Sequence, residues 1–448
     1  MKKNYTPLTF LITLIVLFSS KYTFSQGPPD GPDIYVWYGN EQNFGQQGVP
    51  QRWVNILGHV SDPDGISSFY YTLNGSSSVS LSIGPDGRRL QSSGDFTVDL
   101  DVKDLIVGAN TVVITAIDDL SNETQQTVNI DFANNNVWPL PYSVDWQAVT
   151  DINDVVHVVD GDWEITSEGI HTATPGYDRL IAIGDTTWAD YEITVPITIH
   201  SINNNHGVGI LLRWMGHTDN PVNCDQPKCG WLPLGAICWY RGNRLEIYGN
   251  GGSILATQGR SLDLETPYMF KARVETNPGV GGQYSFKVWE QGETEPVGWD
   301  ITGQESLNDP QNGSLLLISH HGDVTFGNPA ISPIPISITN VQATVHSGNS
   351  SATISWNTNV PASSQVDYGT TTTYELGTVA DAALKTSHSI NLTGLTPDTE
   401  YHYQVTSISG EDDEAVTGDL TFTTVSSDIV SDDFHLPLLD TSVWTYVD

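Results

Sequence analysis

Seven side chains in the middle of this sequence bring cations and aromatic rings together: Arg213, Tyr240, Tyr248, Lys271, Arg273, Lys287 and Trp289. The mixture suits sugars. Aromatic faces stack on the CH-rich faces of pyranose rings, while guanidinium and ammonium groups hydrogen-bond to hydroxyls or pair with uronate and sulfate. These seven are candidate ligand-binding residues. Catalysis needs more: retaining glycoside hydrolysis takes two carboxylates about 5 Å apart, and the acids of WEQGETEP (Glu290, Glu293, Glu295) run into a turn at the wrong spacing. A β-elimination takes a His or Tyr base beside a group that neutralises a uronate. His200, His206, Arg213 and Tyr240 supply those residue types, but no spacing fixes their geometry. No residue is assigned a catalytic role from the sequence.

Asp185, Asp190 and Asp323 fall at expected strand ends and are candidate ligands of a structural Ca2+ ion, which takes oxygen donors from such turns. Asp62, Asp64, Asp118 and Asp119 invite the same reading, against the alternative that Asp simply favours turns. Cys224 and Cys229 share the loop DNPVNCDQPKCGW and can close a small disulfide, whereas Cys238 sits in an expected strand as a buried thiol. Zinc held by His217 and the cysteines is disfavoured, because the loop lacks the compact paired spacing of structural zinc sites.

The elements that position these groups are strands. GVGILLRW (207–214), AICWYRGNRLEIYG (236–249), YMFKARVE (268–275) and YSFKVWE (284–290) alternate apolar and polar side chains with period two. Alternation puts Val208, Ile210, Leu212 and Trp214 on one face and Arg213 on the other, with Gly207 and Gly209. It turns Phe270, Ala272 and Val274 inward and Lys271, Arg273 and Glu275 outward, and pairs Lys287 with Trp289 and Glu246 with Tyr248 outside. Glycines opposite the core would let a bound chain approach the sheet. The competing reading is that the cations pair with the sheet's own acids and that Trp163, Trp188 and Trp214 are core.

Lys2 and Lys3 precede an apolar run from Leu8 to Phe18, with Thr23 and Ser25 before a cut at Gln26, so residues 1–25 are expected to be a signal peptide. The run is too short to span a bilayer comfortably, and no later segment resembles a membrane helix. A secreted or cell-surface protein is the expectation. With 53 acids against 17 Lys and Arg, the formal charge of -36 repels polyanions at long range and argues against nucleic acid as partner.

Turn clusters and Pro-rich joints divide the chain into an all-β string of sandwiches. Residues 34–133, ending in LIVGANTVVITAIDDLSN, resemble a bacterial immunoglobulin-like module. Residues 138–333, opening with VDWQAVTDINDVVHVVDGDWEITSEGIHT and closing with GSLLLISHHGDVTFGNPAI, resemble a concanavalin A-like (laminin G-like) sandwich. Residues 338–425, with Trp356 and the strand LTGLTPDTEYHYQV, resemble a fibronectin type III domain whose aromatic residues are expected to be core. The last segment, 427–448, with LDTSVW, resembles the start of a second concanavalin A-like sandwich. The central superfamily includes lectins, hydrolases and lyases, and fold likeness does not choose among them. Its hydrolase pattern E-x-D-x-x-E is missing here. The expectation is therefore a polysaccharide-binding or adhesion protein with a glycan partner, neutral or anionic. The alternatives are part of a polysaccharide-degrading hydrolase or lyase and a purely structural surface protein.

Overall fold

A computed structural model describes residues 24–25, 31–277, 279–346, 350–410 and 413–425. Most of the expected signal peptide and all of the expected segment 427–448 lie outside the described residues. The fold is all-β: among the described residues the only helical turns are two short 3-10 segments, Trp146–Ala148 and Ile152–Asp154. The chain forms two compact units, Met1–Ile334 and Pro335–Asp448. No helix among the described residues is long and apolar enough to cross a membrane.

The first unit holds two sandwiches. In the N-terminal one, a four-stranded sheet that includes Trp53–Ser61 and Asp95–Asp101 faces a five-stranded sheet that includes Gly108–Asp118 and Glu123–Phe132. Glu123–Phe132 alternates exposed and buried at every residue, the signature of a strand with one face on a core. That core contains Ile34, Ile56, Phe96, Ile114 and Ile130.

The central sandwich is a 14-stranded sheet folded over on itself. The strands Tyr191–Trp214 and Ser314–Phe326 are long enough to run through both layers. In the front layer the order is His157–Asp160, Arg179–Ile183, Ser314–Phe326, Tyr191–Trp214, Ala236–Tyr240, Arg244–Tyr248 and Ile254–Gly259. In the back layer the first half of Tyr191–Trp214 pairs with Pro267–Asn277, which continues to Gly281–Glu290 and Ile301–Gln304. Val208, Ile210, Leu212 and Cys238 from the front meet Ile193, Phe270, Phe286 and Val288 from the back. Each such fully buried apolar side chain contributes about 1.5–3 kcal/mol.

The front layer is apolar on its other face too. Leu180, Leu211, Trp214, Ile237, Trp239, Leu316 and Ile318 form a second cluster there. Trp214 belongs to this outer cluster, not to the inner face with Leu212. The register shifts between Leu212 and Trp214, and Arg213 takes a φ of 60°, so one residue is looped out and the alternation inverts.

The segment NNNVWPLPYS is mostly exposed, as a linker would be, but it sends Trp138 into the core. Trp138 is buried in the inner cluster, and its backbone N–H donates to Asp185. The two sandwiches meet across a polar junction. Arg89 of the first reaches Asp160 and the carbonyls of Val159 and Lys228 in the second. Gln226 pairs by its amide with both the N–H and the carbonyl of Asp99, and Trp53 Nε1 donates to the His217 carbonyl.

The second unit is a six-stranded sandwich. Trp356, Leu395, Tyr401 and Tyr403 are core residues in it, as the sequence suggests. Tyr401 Oη accepts from the N–H of Thr396, five residues back, a corner bond that recurs in sandwiches of this kind. In the acidic run 411–414, Glu411 and Asp412 lie outside the described residues, and Asp413 accepts from the Ile336 N–H.

Candidate functional site

A cleft of about 540 Å3 opens on the outer face of the front layer. Its walls are aromatic: Tyr177, Trp231, Trp239 and Tyr248, over a floor that includes Leu234, Ile237 and Ile318. Strand parity explains the placement. Ala236, Cys238 and Tyr240 point into the core, so Ile237 and Trp239 must point out. On the next strand Leu245 and Ile247 point in, which leaves Tyr248 outside, with its ring centroid 6.2 Å from that of Trp239.

Gly207 and Gly209 make room for Trp239. A Cβ on Gly207 would lie 2.6 Å from the indole, and one on Gly209 would lie 2.2 Å from the Cys238 carbonyl oxygen. These glycines therefore admit the protein's own indole across the neighbouring strand rather than leaving bare backbone for a ligand.

The remaining wall is the loop between Trp214 and Ala236. Pro221, Trp231 and Leu232 face the cleft from it. Cys224 and Cys229 are joined within it, while Cys238 is buried and free. Thr218 and Gly230 exchange backbone hydrogen bonds at its base, and Lys228 N donates to Asp99 of the N-terminal sandwich. The wall is thus tied to both sandwiches. His217 Nε2 lies 3.0 Å from Asp160 Oδ2 and its Nδ1 3.2 Å from the Gly230 carbonyl oxygen.

Polar groups enter the cleft at one end. His320 Nδ1 lies 2.8 Å from Asp178 Oδ1, both groups buried, and its Nε2 lies 3.4 Å from Asn205 Nδ2. With Asp178 accepting from Nδ1–H, Nε2 is the ring nitrogen left on the cleft side, where the Asn205 amide approaches it. Burial raises the Asp178 carboxyl above its ordinary value, against the opposing pull of His320. Burial also lowers the His321 imidazole and raises the Tyr177 phenol. Arg241 completes the rim, its guanidinium 4.7 Å from the Trp239 ring centroid and its Nη2 donating to Asn205 Oδ1 at 3.1 Å.

Of the seven side chains singled out in the sequence, Tyr248 alone lines this cleft. Arg213 is not outward: it is 0% exposed and donates to Asp190, Asp309, Thr276 and the carbonyls of Ala189 and Pro310. Tyr240 is turned to the core, with its hydroxyl on Asn243. Lys271, Arg273, Lys287 and Trp289 are outward on the back layer, where the sheet's own acids meet the cations. Lys271 and Arg273 pair with Glu192, and Lys271 and Lys287 pair with Glu295. Trp299 covers Arg273 and Lys287 at 5.2 and 4.9 Å, and Trp289 is buried. The cations hold Glu295 below the usual carboxylate range, Lys287 above all.

The residue set considered for β-elimination does not assemble. His206 and Tyr240 touch, with centroids 5.4 Å apart, on the core side. His200 instead bonds Glu265 and Thr325, and Arg213 is engaged as above. The three candidate calcium ligands do not converge either. Asp185 accepts from Val49, Trp138 and Thr187, Asp190 from Arg213 and Thr276, and Asp323 lies 2.7 Å from His171. Among the described residues, the acids that do converge are Asp62, Asp64 and Asp118, with carboxylate oxygens within 4.8 Å of one another. Turn hydrogen bonds already take Asp62 Oδ1 and both oxygens of Asp118. That pattern fits a closed turn better than an open cation shell, and Asp119 is outside the group.

Comparison with known proteins adds a family match over the second unit alone. Residues 338–424 match the N-terminal domain of purple acid phosphatase. No curated protein matches the sequence. Among solved structures, a bifunctional GH43-CE protein of Bacteroides eggerthii is similar at 10% identity and a TM-score of 0.31, over 75% of this chain and 43% of that one. The chain therefore spans less than half the length of that protein. Xylan β-1,4-xylosidase of Bacillus halodurans C-125 is similar at 9% identity and a TM-score of 0.29, covering 70% and 76% of the two chains. Carbohydrate-binding modules of the β-sandwich superfamily are similar at 10% identity and a TM-score of 0.16, covering 68% and 98%. Likeness at this level assigns no activity.

Proposed function

We propose that this chain is an exported glycan-binding protein whose ligand site is the cleft between Trp231, Trp239 and Tyr248. One observation carries the reading: several ring faces line a single cleft of about 540 Å3, within the range of small-ligand sites. Apolar aromatic faces with a few polar groups at one end match the two-sided chemistry of a sugar ring. The leader pattern and a disulfide between Cys224 and Cys229 support export, since disulfides persist in oxidising compartments.

His320 beside Asp178 favours a second reading, acid–base chemistry on the bound sugar, because a buried carboxylate orients the imidazole and leaves Nε2 toward the cleft. One experiment separates the two. The full chain is passed over a panel of neutral, uronate and sulfated polysaccharides, with retention, new reducing ends and unsaturated products all measured. Retention without products is the expected outcome. Products abolished by His320→Ala would replace binding with catalysis, and no retention on any glycan would leave a structural role.

A further inference from the structure

We infer that the cleft selects acidic sugars, with Arg241 as the residue that reads the charge; this rests on the glycan-binding reading above. The chain carries 53 acids against 17 Lys and Arg, and most of its described cations are paired; among the described residues Arg88, Lys103, Arg179 and Arg241 have no carboxylate within 4.0 Å, and of these four Arg241 lines the cleft. Arg89, Arg213, Arg244, Arg260, Arg273, Lys271 and Lys287 each have a carboxylate within 4.0 Å. Among the described residues, no carboxylate pairs with Arg241. It is half-buried at the rim of the aromatic cleft, steadied by the Trp239 face and by Asn205.

That arrangement leaves most of a planar, always-charged fork available for a ligand. Asn205 takes a single N–H, and stacking on the indole constrains the plane without using any donor. A guanidinium held this way matches a carboxylate or sulfate oxygen pair in two parallel hydrogen bonds. The acid that lines the cleft, Asp178, is hydrogen-bonded to His320.

The overall negative charge does not forbid an acidic glycan. Charges farther than about 8 Å are largely screened at physiological ionic strength, so contact residues decide. A nucleic acid would need many phosphate contacts over a basic surface. One acidic sugar in the cleft needs a single well-placed fork.

The test uses the full chain and calorimetric titration with xylohexaose as the neutral probe, oligogalacturonate as the uronate probe and carrageenan oligosaccharides as the sulfate probe. The expected result is about tenfold or greater preference for one or both acidic probes over the neutral one, the size of a charge-assisted hydrogen bond. Arg241→Gln and Arg241→Ala should erase that preference and leave xylohexaose affinity within about twofold. Trp231→Ala should weaken all three probes together. Comparable neutral and acidic affinities in the wild type, or a preference that survives both Arg241 variants, overturns the selectivity while leaving the cleft standing. Glycan binding that ignores Trp231→Ala, or no binding at all, removes the cleft reading and the selectivity with it.

Discussion

Arg89 Nε of the N-terminal sandwich donates to Asp160 Oδ1 of the central one at 2.5 Å, while its Nη1 donates to Asp99 Oδ2 at 2.6 Å. All three side chains are buried. One guanidinium thus compensates two carboxylates drawn from different sandwiches, and Asp160 also meets His217 of the cleft-wall loop. The N-terminal sandwich is therefore a structural partner of the cleft.

Arg89→Ala leaves Asp99 and Asp160 buried without their cation, and removing one member of a buried ion pair costs about 3–5 kcal/mol. The denaturant midpoint of the first unit should fall accordingly, and glycan retention should fall with it as the wall loses Lys228 and Gln226 anchorage. An unchanged midpoint in Arg89→Ala would show that the junction is not held this way.

Trp231 and Tyr248 are half-buried, so truncating them removes ring faces from the cleft without opening the core. Trp231→Ala and Tyr248→Ala should each weaken retention by about 1–2 kcal/mol, the usual cost of losing an aromatic anchor. Lys287→Ala and Arg273→Ala, on the back layer, should leave retention as it is. Equal losses from both sets would move the site to the other sheet.

His157 supplies a pH dependence. Burial lowers its pKa from 6.5 to about 3, and its Nε2 donates to Asn55 across the junction. The folded state thus keeps it neutral while the unfolded chain takes up a proton below about pH 6.5. Its contribution is fully present above that pH and is lost as pH falls toward 3, reaching ~3 kcal/mol by pH 4. Asp162, raised to about 6 by burial and by Glu164, acts in the opposite sense, as does Asp309, also raised to about 6 by burial. Comparing His157→Gln with the wild type isolates the histidine: the variant should show the smaller loss of stability between pH 6.5 and 4. Parallel profiles would remove His157 from the account.

Thiol chemistry reports on the wall loop. A thiol reagent should modify no cysteine in the folded, unreduced chain, since Cys224 and Cys229 are joined and Cys238 is buried. After mild reduction two sites should react, and retention should drop as the wall is released. Mass spectrometry after labelling counts them, and modification of Cys238 before unfolding would contradict its burial.

Period-two patterning was enough to read the all-β architecture, and the family resemblance over 338–425 was enough to expect the aromatic core of the second unit. The patterning was also enough to read Trp239, in principle: a buried Cys238 forces Tyr240 to its own side and Trp239 to the other. Arg213 was not legible. A non-glycine residue at positive φ is uncommon, and no local residue announces the looped-out position that inverts Trp214. The back-layer cations were placed on the correct face, but Glu192, Glu295 and Trp299, which cover them, come from other strands and a loop. His320, Asp178, Arg241 and Asn205 are brought together from separate segments, a convergence that no spacing encodes.

The strand Tyr191–Trp214 belongs to both layers of the central sandwich, and its partner Ser314–Phe326 does the same. Neither layer can peel away as a separable half, because both backbones run through the fold and would have to be cut. New chain ends introduced within 191–214 should abolish folding, whereas ends placed in the exposed turn at Gly292 should be tolerated. The same continuity predicts that amides along these two strands exchange with solvent only when the whole unit opens.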